Sequence, residues 1–234
     1  MLLRFLQLDV REESLPDFLK FYTEDVFPVL QRTDGCLFAC MLRQALDPTE
    51  VISLTVWESR ETAEAYHKSE DFQRLFEISQ SYYSRAADPK SPPAEFYIGD
   101  DSKRDALYMA GRDAGPHPYL RIVDIRFKPG RMQEFKDFYE SRIIPTLNQT
   151  KGCRSIFLVE SAEQNDEALS ITVWDREEDA VRYEISGSFD DLAAPMRDTF
   201  AGLRSWQMSA PSALGAARDE LEVHGYDVIA GGRM

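Results

Sequence analysis

Arginine, tyrosine and tryptophan side chains recur in this chain at a spacing of 117 positions, and their types could do chemistry. An arginine can hold a phenolate or a carboxylate, and a tyrosine hydroxyl can donate to an anion that develops on a substrate. Aromatic walls would keep water from a reactive intermediate. The candidate catalytic residues of this kind are Arg4, Tyr22, Tyr66, Arg121, Tyr139 and Tyr183, and the candidate substrate-binding residues are Trp57, Phe76 and Trp174.

A second interpretation of the same residues is that they only pack the fold. Large aromatic side chains are typical of cores, and Arg4 and Arg121 could pair with a carboxylate such as Glu50 or Glu167. Repetition does not separate the two interpretations, because a duplicated fold keeps packing residues as readily as it keeps a site. Both interpretations therefore stay open at the level of sequence.

The copies differ at two positions that matter for a pocket. Phe76 of the first copy is replaced by Ala193 in the second, and the smaller side chain predicts a larger cavity in the second half. His67 is replaced by Glu184. His67 is a further catalytic candidate, because it could act as a base, and Glu184 could act as a base in the second copy. In the alternative interpretation, His67 is a surface residue of a polar helix.

The chain has three histidines, and none has the spacing of a metal-binding pair such as HxH or HExxH. It also shows no glycine-rich phosphate loop, so we expect neither a metal nor a bound cofactor. Cys36, Cys40 and Cys153 are odd in number, which favours buried thiols in a reducing compartment. On a strand, Cys36 and Cys40 would face the same side.

The elements that must position these residues are repeated as well, because residues 4–83 recur at 121–200 without insertion or deletion. Alternating and helical hydrophobic patterns predict strands at 2–10, 36–43, 50–58 and 95–98, with helices at 14–26, 61–67 and 69–78. Ser14 and Asp17 have the spacing of a capping box. Pro28 and Pro145 should end or bend their helices near the last turn. The last strand of the second copy is predicted at 205–208.

This order, β-α-β-β-α-β, predicts an α+β protein with two ferredoxin-like repeats. Each sheet has helices on one face, so its other face needs a cover. We therefore expect the two antiparallel sheets to pack face to face, with edge strands crossing over, as an intrachain pseudo-dimeric α/β barrel. Arg4 shares a face with Leu6 and Leu8, which places it toward the helices.

The predicted domains are a first repeat at 1–99, a linker at 100–117, a second repeat at 118–208 and a C-terminal extension at 209–234. Within the extension, 213–223 could form a helix and 228–231 an edge strand. These segments either clasp the opposite half or are tails.

The composition suits a globular protein, with 43% hydrophobic and 29% charged residues among 234. A formal net charge of −14 argues against nucleic acid and anionic membranes as partners, since both reward clustered lysine and arginine. The chain shows no signal peptide and no long apolar span, so we expect a cytoplasmic protein.

Three segments carry a resemblance to a known family. Residues 55–59 (TVWES) and 66–72 (YHKSEDF) resemble the antibiotic biosynthesis monooxygenase (ABM) superfamily of dimeric α/β barrels, in which a strand ends in Trp and Ser-x-x-Phe opens a helix. Residues 127–130 (FKPG), followed by Phe135, resemble the strand-turn-helix opening of that family. The resemblance covers both repeats and implies that two such domains share one barrel.

The resemblance also implies candidate activities. Some members are similar to cofactor-independent oxygenases that oxidise electron-rich polyphenols with O₂, and others degrade haem. The haem-degrading branch needs an Asn on the first strand, a Trp before the last helix and an axial His within it. This chain has Phe5 or Leu6, Tyr66 and Phe76 there, with Ile122 or Val123, Tyr183 and Ala193 in the copy, which disfavours haem degradation.

The sequence thus predicts a cofactor-independent monooxygenase that acts on a small aromatic or polyketide-like substrate in a pocket between sheet and helices. The alternative is a non-catalytic ligand-binding or assembly protein of the same fold. A small-molecule substrate is the expected partner, and further homo-oligomerisation stays open.

Overall fold

The computed structural model of the chain describes residues 1–44, 50–84, 93–97, 118–162, 164–201 and 222–233. The chain divides into two compact units, Met1–Glu95 with Val228–Met234 and Phe96–Asp227, called the first unit and the second unit below. The predicted linker at 100–117 and the strand predicted at 205–208 lie outside the described residues.

The first unit follows the predicted order of elements. Its strands are β1 (Leu2–Asp9), β2 (Cys36–Gln44), β3 (Glu50–Trp57) and the start of β4 (Ala94–Tyr97), and its helices are α1 (Leu15–Phe21), α2 (Phe27–Gln31), α3 (Arg60–His67) and α4 (Glu70–Ser79). β3 is central and pairs antiparallel with both β1 and β2. Ser69 caps α4, since its side chain accepts a hydrogen bond from the backbone N–H of Phe72.

The second unit repeats this arrangement. Its elements are β5 (Tyr119–Arg126), α5 (Met132–Phe138), α6 (Ile144–Asn148), β6 (Cys153–Ser161), β7 (Glu167–Trp174), α7 (Glu177–Ile185), α8 (Ser188–Ala193) and the start of β8 (Glu222–Arg233). β7 pairs antiparallel with β5 and β6, and β8 pairs with β5. Phe96 and Tyr97 of β4 pair with β6.

The strand order is β1-β3-β2-β8-β5-β7-β6-β4, and the antiparallel sheet closes as a barrel. The prediction of two ferredoxin-like repeats that form an α/β barrel is therefore confirmed. The strand predicted at 228–231 belongs to β8, which already begins at Glu222. The last residues of the helix predicted at 213–223 are therefore strand, because they form ladder pairs with β5.

Each unit buries residues on both faces of its sheet. On the helix side of the first unit, Leu8, Met41 and Val51 pack with Phe18 and Leu75 of the helices. The alternate residues are buried too, as Phe5, Ile52, Leu54 and Val56 show. None of the helices described above combines the length and apolar character needed to cross a lipid bilayer.

The first helix of each repeat does not end at its proline. A π-helical turn, Tyr22–Val26 or Tyr139–Ile143, is followed by α2 or α6, and Pro28 and Pro145 lie in the first turn of these segments. A proline has no N–H to donate to the preceding turn, and in both repeats a wider π-helical turn comes directly before its segment. Each π turn begins at a candidate tyrosine, and such turns are frequent at functional sites.

Two local predictions are wrong. Ser14 makes no side-chain cap, because a 3₁₀ turn at Glu12–Ser14 precedes α1 and Ser14 itself has helical backbone angles. Cys36 and Cys40 do not share a face, because the register of β2 against β3 shifts after Cys36. Cys36 therefore packs beside Trp57, whereas Cys40 lies opposite Leu54.

Candidate functional site

The first unit encloses a cavity of about 150 Å³ between the helix side of its sheet and its helices. The cavity's walls are aromatic and aliphatic, and its polar groups come from the sheet floor and the helix edges. The candidates that line it are Arg4, Tyr22, Trp57, Tyr66, His67 and Phe76. The prediction that Arg4 points toward the helices is thus confirmed by the first-unit cavity.

Solvent reaches the floor of this cavity. Arg4, Leu6, Ser53 and Thr55 all line the cavity and are half-buried, although they lie on the helix-covered face of the sheet. Residues on such a face are ordinarily sealed beneath the helices. The cavity is therefore open to a molecule that arrives from outside the protein.

Tyr22 lines the same cavity with a buried hydroxyl that lacks a partner. The side chain is 2% exposed, and its hydroxyl has no hydrogen-bond partner among the described residues. A buried hydroxyl without a partner costs about 1 to 3 kcal/mol, so it calls for an explanation. A ligand oxygen that accepts this hydrogen bond would remove the cost.

Arg4 is held by a carboxylate from β4. Its Nε and Nη2 atoms lie 2.7 and 2.6 Å from Oε1 of Glu95, and Nη2 of Arg60 lies 2.7 Å from Oε2 of the same carboxylate. The sequence predicts that this arginine pairs with a carboxylate, but it suggests Glu50 or Glu167 as the partner. Glu167 instead lies 3.9 Å from Arg126, and the side chain of Glu50 is outside the described ones. Two guanidinium groups on one carboxylate leave this cluster with a net positive charge.

Aromatic rings build the side of the cavity formed by α3 and α4. The indole N–H of Trp57 donates to Oγ1 of Thr55 at 2.9 Å, and the Trp57 ring stacks on Tyr66 with centroids 5.3 Å apart. The His67 ring lies 4.3 Å from the ring of Phe72, which in turn stacks on Phe76. His67 and Phe76 are half-buried, so they lie where the cavity meets solvent.

The tyrosines of this cavity are proton donors rather than bases. Burial raises the pKa of Tyr22 well above its usual value, and the nearby Cys40, Cys36 and Tyr66 raise it further. Burial likewise raises the pKa of Tyr66 and of Tyr83. Neutral hydroxyls at physiological pH can stabilise an anion on a bound substrate but do not take a proton from it.

The equivalent residues of the second unit are sealed. Arg121 is 3% exposed, and its Nε donates to Oε1 of Glu184, which is also buried. The guanidinium lies over the ring of Phe189, 4.3 Å from its centroid. The hydroxyl of Tyr139 has two partners, the carbonyl oxygen of Phe157 at 2.9 Å and the Ser170 hydroxyl at 2.8 Å.

The structure therefore treats the two sets of candidates differently. It brings the first-unit set together around a cavity, whereas it packs Arg121, Tyr139, Trp174 and Tyr183 against one another and their neighbours. The cavity of about 150 Å³ lies in the first unit, and the larger cavity predicted beside Ala193 stays a prediction.

Some residues of the site were missed by sequence reasoning. Glu95 and Arg60 were not candidates, because Glu95 pairs with Arg4 and with Arg60 across long sequence separations. Ser53 and Thr55 could have been found, since they alternate with Trp57 on one face of β3. Within the described parts of the chain, no group of three or more His, Cys, Asp or Glu side chains is placed to hold a metal ion.

The two repeats form a closed ferredoxin-like α/β barrel, and the first unit has an aromatic cavity between its sheet and its helices. The chain belongs to the antibiotic biosynthesis monooxygenase family, whose model matches residues 1–78 and again 118–195. The duplication and the resemblance seen in the sequence are thereby confirmed. No curated protein matches the sequence significantly.

Three solved structures are similar to this chain over nearly its whole length. One is a proposed monooxygenase from Fusobacterium nucleatum, with a TM-score of 0.67, 12% identity, and coverage of 99% of this chain and 94% of that one. Another is a proposed monooxygenase from Lactobacillus acidophilus, with a TM-score of 0.63, 8% identity, and coverage of 100% and 97%. A third is an anthrone oxidase-like protein, with a TM-score of 0.58, 14% identity, and coverage of 99% and 92%. At these identities the likeness shows the fold.

Proposed function

We propose that this chain is a cofactor-independent monooxygenase that oxidises a small aromatic or polyketide-like substrate in the first-unit cavity. Family membership supports the reaction class, and the cavity supports the substrate class. A cavity of about 150 Å³ with apolar walls has room for roughly one aromatic ring. A larger substrate would extend past His67 and Phe76 into solvent.

The reaction needs an acidic C–H or O–H on the substrate and molecular oxygen. A substrate methylene loses a proton, and the carbanion passes one electron to O₂. The two radicals combine to a hydroperoxide, which loses water and leaves a ketone. The balance is R₂CH₂ + O₂ → R₂C=O + H₂O, in which the substrate supplies every electron and no further reductant is consumed.

The residues of the cavity fit the steps of this reaction. His67 is the imidazole among the lining residues, and an imidazole can accept a proton near neutral pH. The neutral hydroxyls of Tyr22 and Tyr66 would donate to the oxygen on which the negative charge collects. Arg4 adds positive charge at the floor. Apolar walls exclude water from the radical pair.

The observation that carries this proposal is the Tyr22 hydroxyl, which is buried beside a solvent-accessible cavity and lacks a partner among the described residues. The copy of this residue, Tyr139, has two partners and no such need. A unit that binds a ligand would leave such a donor without a protein partner, whereas a sealed unit would satisfy it.

The test measures oxygen uptake with a panel of phenols and anthrone-type substrates, with and without air. We expect one O₂ consumed per ketone formed. Tyr22→Phe should lower kcat/KM about 10- to 100-fold with little loss of stability, since the hydroxyl it removes has no partner among the described residues. Tyr139→Phe is the matched control, which should keep activity and lose about 1 kcal/mol of unfolding free energy.

The alternative function is a non-catalytic ligand-binding protein. The ion pair of Arg4 with Glu95 favours this alternative, because the arginine already has an anionic partner. Binding of the panel compounds, seen as a change in Trp57 fluorescence, without oxygen uptake from any of them would select this alternative. Activity that is equal in the Tyr22→Phe and Tyr139→Phe chains would overturn the placement of the site in the first unit.

A further inference from the structure

The two repeats take the carboxylate that pairs with their strand arginine from different elements. Arg4 of the first unit pairs with Glu95 on β4. Arg121 of the second unit pairs with Glu184 on α7. The sheet cannot supply a carboxylate at the register position of Arg121, because its partner on β8 is Gly225. A Cβ atom on Gly225 would lie 1.6 Å from the Tyr119 hydroxyl, so the room for a side chain is already taken.

The position of Glu184 is a pocket position in the first unit. Its repeat equivalent is His67, which lines the first-unit cavity at the edge where solvent enters. Glu184 is instead turned inward and is 6% exposed. Its carboxylate therefore lies inside the second unit, between helix and sheet.

Arg121 is a buried cation whose surroundings resemble a binding site. The guanidinium lies 4.3 Å from the Phe189 ring centroid and 5.7 Å from that of Tyr183, and both rings are equivalents of cavity-lining residues. Its Nη2 atom has no hydrogen-bond partner among the described residues, although the side chain is 3% exposed. A planar guanidinium offers several donors to a carboxylate, and Glu184 leaves one of these unused.

We infer that the second unit contains a carboxylate-binding site that the chain's own Glu184 side chain occupies. Glu184 lies where the anionic group of a ligand would bind to Arg121, so the unit is closed to external ligands. Of the two equivalent positions that the described residues of the repeats form, the one in the first unit is then open to a ligand and the one in the second unit is filled. The second site takes small carboxylates once Glu184 is shortened. This inference holds whether or not the first-unit cavity is catalytic.

The experiment replaces Glu184 by alanine, which removes a CH₂–COO⁻ fragment the size of acetate. Glu184→Ala should lower the midpoint of thermal unfolding, and acetate should restore it progressively over about 1 to 100 mM, since a ligand of the folded state stabilises it by mass action. Benzoate, whose ring exceeds the space vacated, should restore it less. Sodium chloride at equal ionic strength is the control.

Two further chains keep the test decisive. In Arg121→Met/Glu184→Ala no cation remains, so acetate should act no more than chloride, and in the wild type acetate should have no effect beyond chloride. The inference is overturned if acetate raises the unfolding midpoint of the double variant more than chloride does, or if acetate does not raise that of Glu184→Ala. If Glu184→Ala folds only when acetate is present, the inference is supported. If Glu184→Ala does not fold either with or without acetate while Glu184→Gln folds, the inference is overturned.

Discussion

The two units have the same residues on the sheet face that their helices cover, but these residues differ in burial. Ser53 and Thr55 of the first unit are half-buried, whereas their copies Ser170 and Thr172 are buried. The chemistry of these residues is identical in both units, so it does not decide which unit is open. The difference lies in the element that supplies the arginine's carboxylate: β4 in the first unit and α7 in the second.

This difference shows how one duplicated domain can have an open cavity floor in one copy and a buried one in the other. A carboxylate on the sheet holds Arg4 along the floor and leaves the space above it free. A carboxylate on the helix edge draws Arg121 up beneath Phe189 and fills that space. Closing the pocket needs no change in the tyrosine, serine, threonine or tryptophan of the floor and walls.

The largest expected effect comes from removing each arginine. Arg121→Met should lower the free energy of unfolding by about 3 to 5 kcal/mol, because it leaves the buried Glu184 carboxylate unpaired. Arg4→Met should cost less, about 1.5 kcal/mol, because Glu95 keeps Arg60 as a partner. Urea unfolding followed by circular dichroism measures both. Equal losses would contradict the distinction that we draw between the two carboxylates.

Equal effects in the two units are expected where the units are alike. The indole N–H of Trp57 and of Trp174 each donates to a threonine hydroxyl two residues earlier, at 2.9 and 2.8 Å. Trp57→Phe and Trp174→Phe should each cost about 2 kcal/mol of unfolding free energy, from the lost hydrogen bond and the space left behind. The same urea titration serves as the measurement. A gap of more than about 1 kcal/mol between them would mean that the units differ in more than their arginine pairs.

The smallest effect concerns pH. Burial raises the pKa of Tyr22 and of Tyr139 in the folded protein. A raised pKa means that the folded state holds the proton more tightly, so this contribution to stability is complete below the unfolded value, about pH 10, and is lost as the pH rises beyond it. Tyr22→Phe and Tyr139→Phe should each flatten the fall of unfolding free energy between about pH 9 and 11.5. An unchanged slope would mean that the tyrosine ionises inside the folded chain.

Much of the fold could be predicted because its signals are local. Period-two alternation places Arg4 on the face that β1 turns to the helices, and the structure confirms this. The repeat predicts two copies of one domain, and the family match confirms it. The π turns at Tyr22 and Tyr139 escaped prediction, because helical spacing of apolar residues does not distinguish a single wider turn.

The site was less predictable because its partners are distant in sequence. The pattern indicates that Arg4 needs a carboxylate, but it does not say that Glu95, on a short strand, supplies it. The substitution of His67 by Glu184 is visible in the sequence, yet its consequence depends on Gly225, which leaves β8 without a side chain opposite Arg121. Ala193 predicts a larger space in the second unit, whereas the burial of Arg121 and Glu184 in that unit depends on a contact between residues distant in sequence.

The pairing of β5 with β8 has a consequence for synthesis on the ribosome. Roughly a hundred residues separate these strands, and contacts between such distant segments form slowly. Until β8 emerges, the outer edge of β5 presents unpaired backbone N–H and C=O groups, which can recruit a strand from a neighbouring nascent chain. Slow translation prolongs this exposure and should therefore favour exchange of β8 between molecules, whereas faster completion of the chain should favour the barrel that contains its own β8.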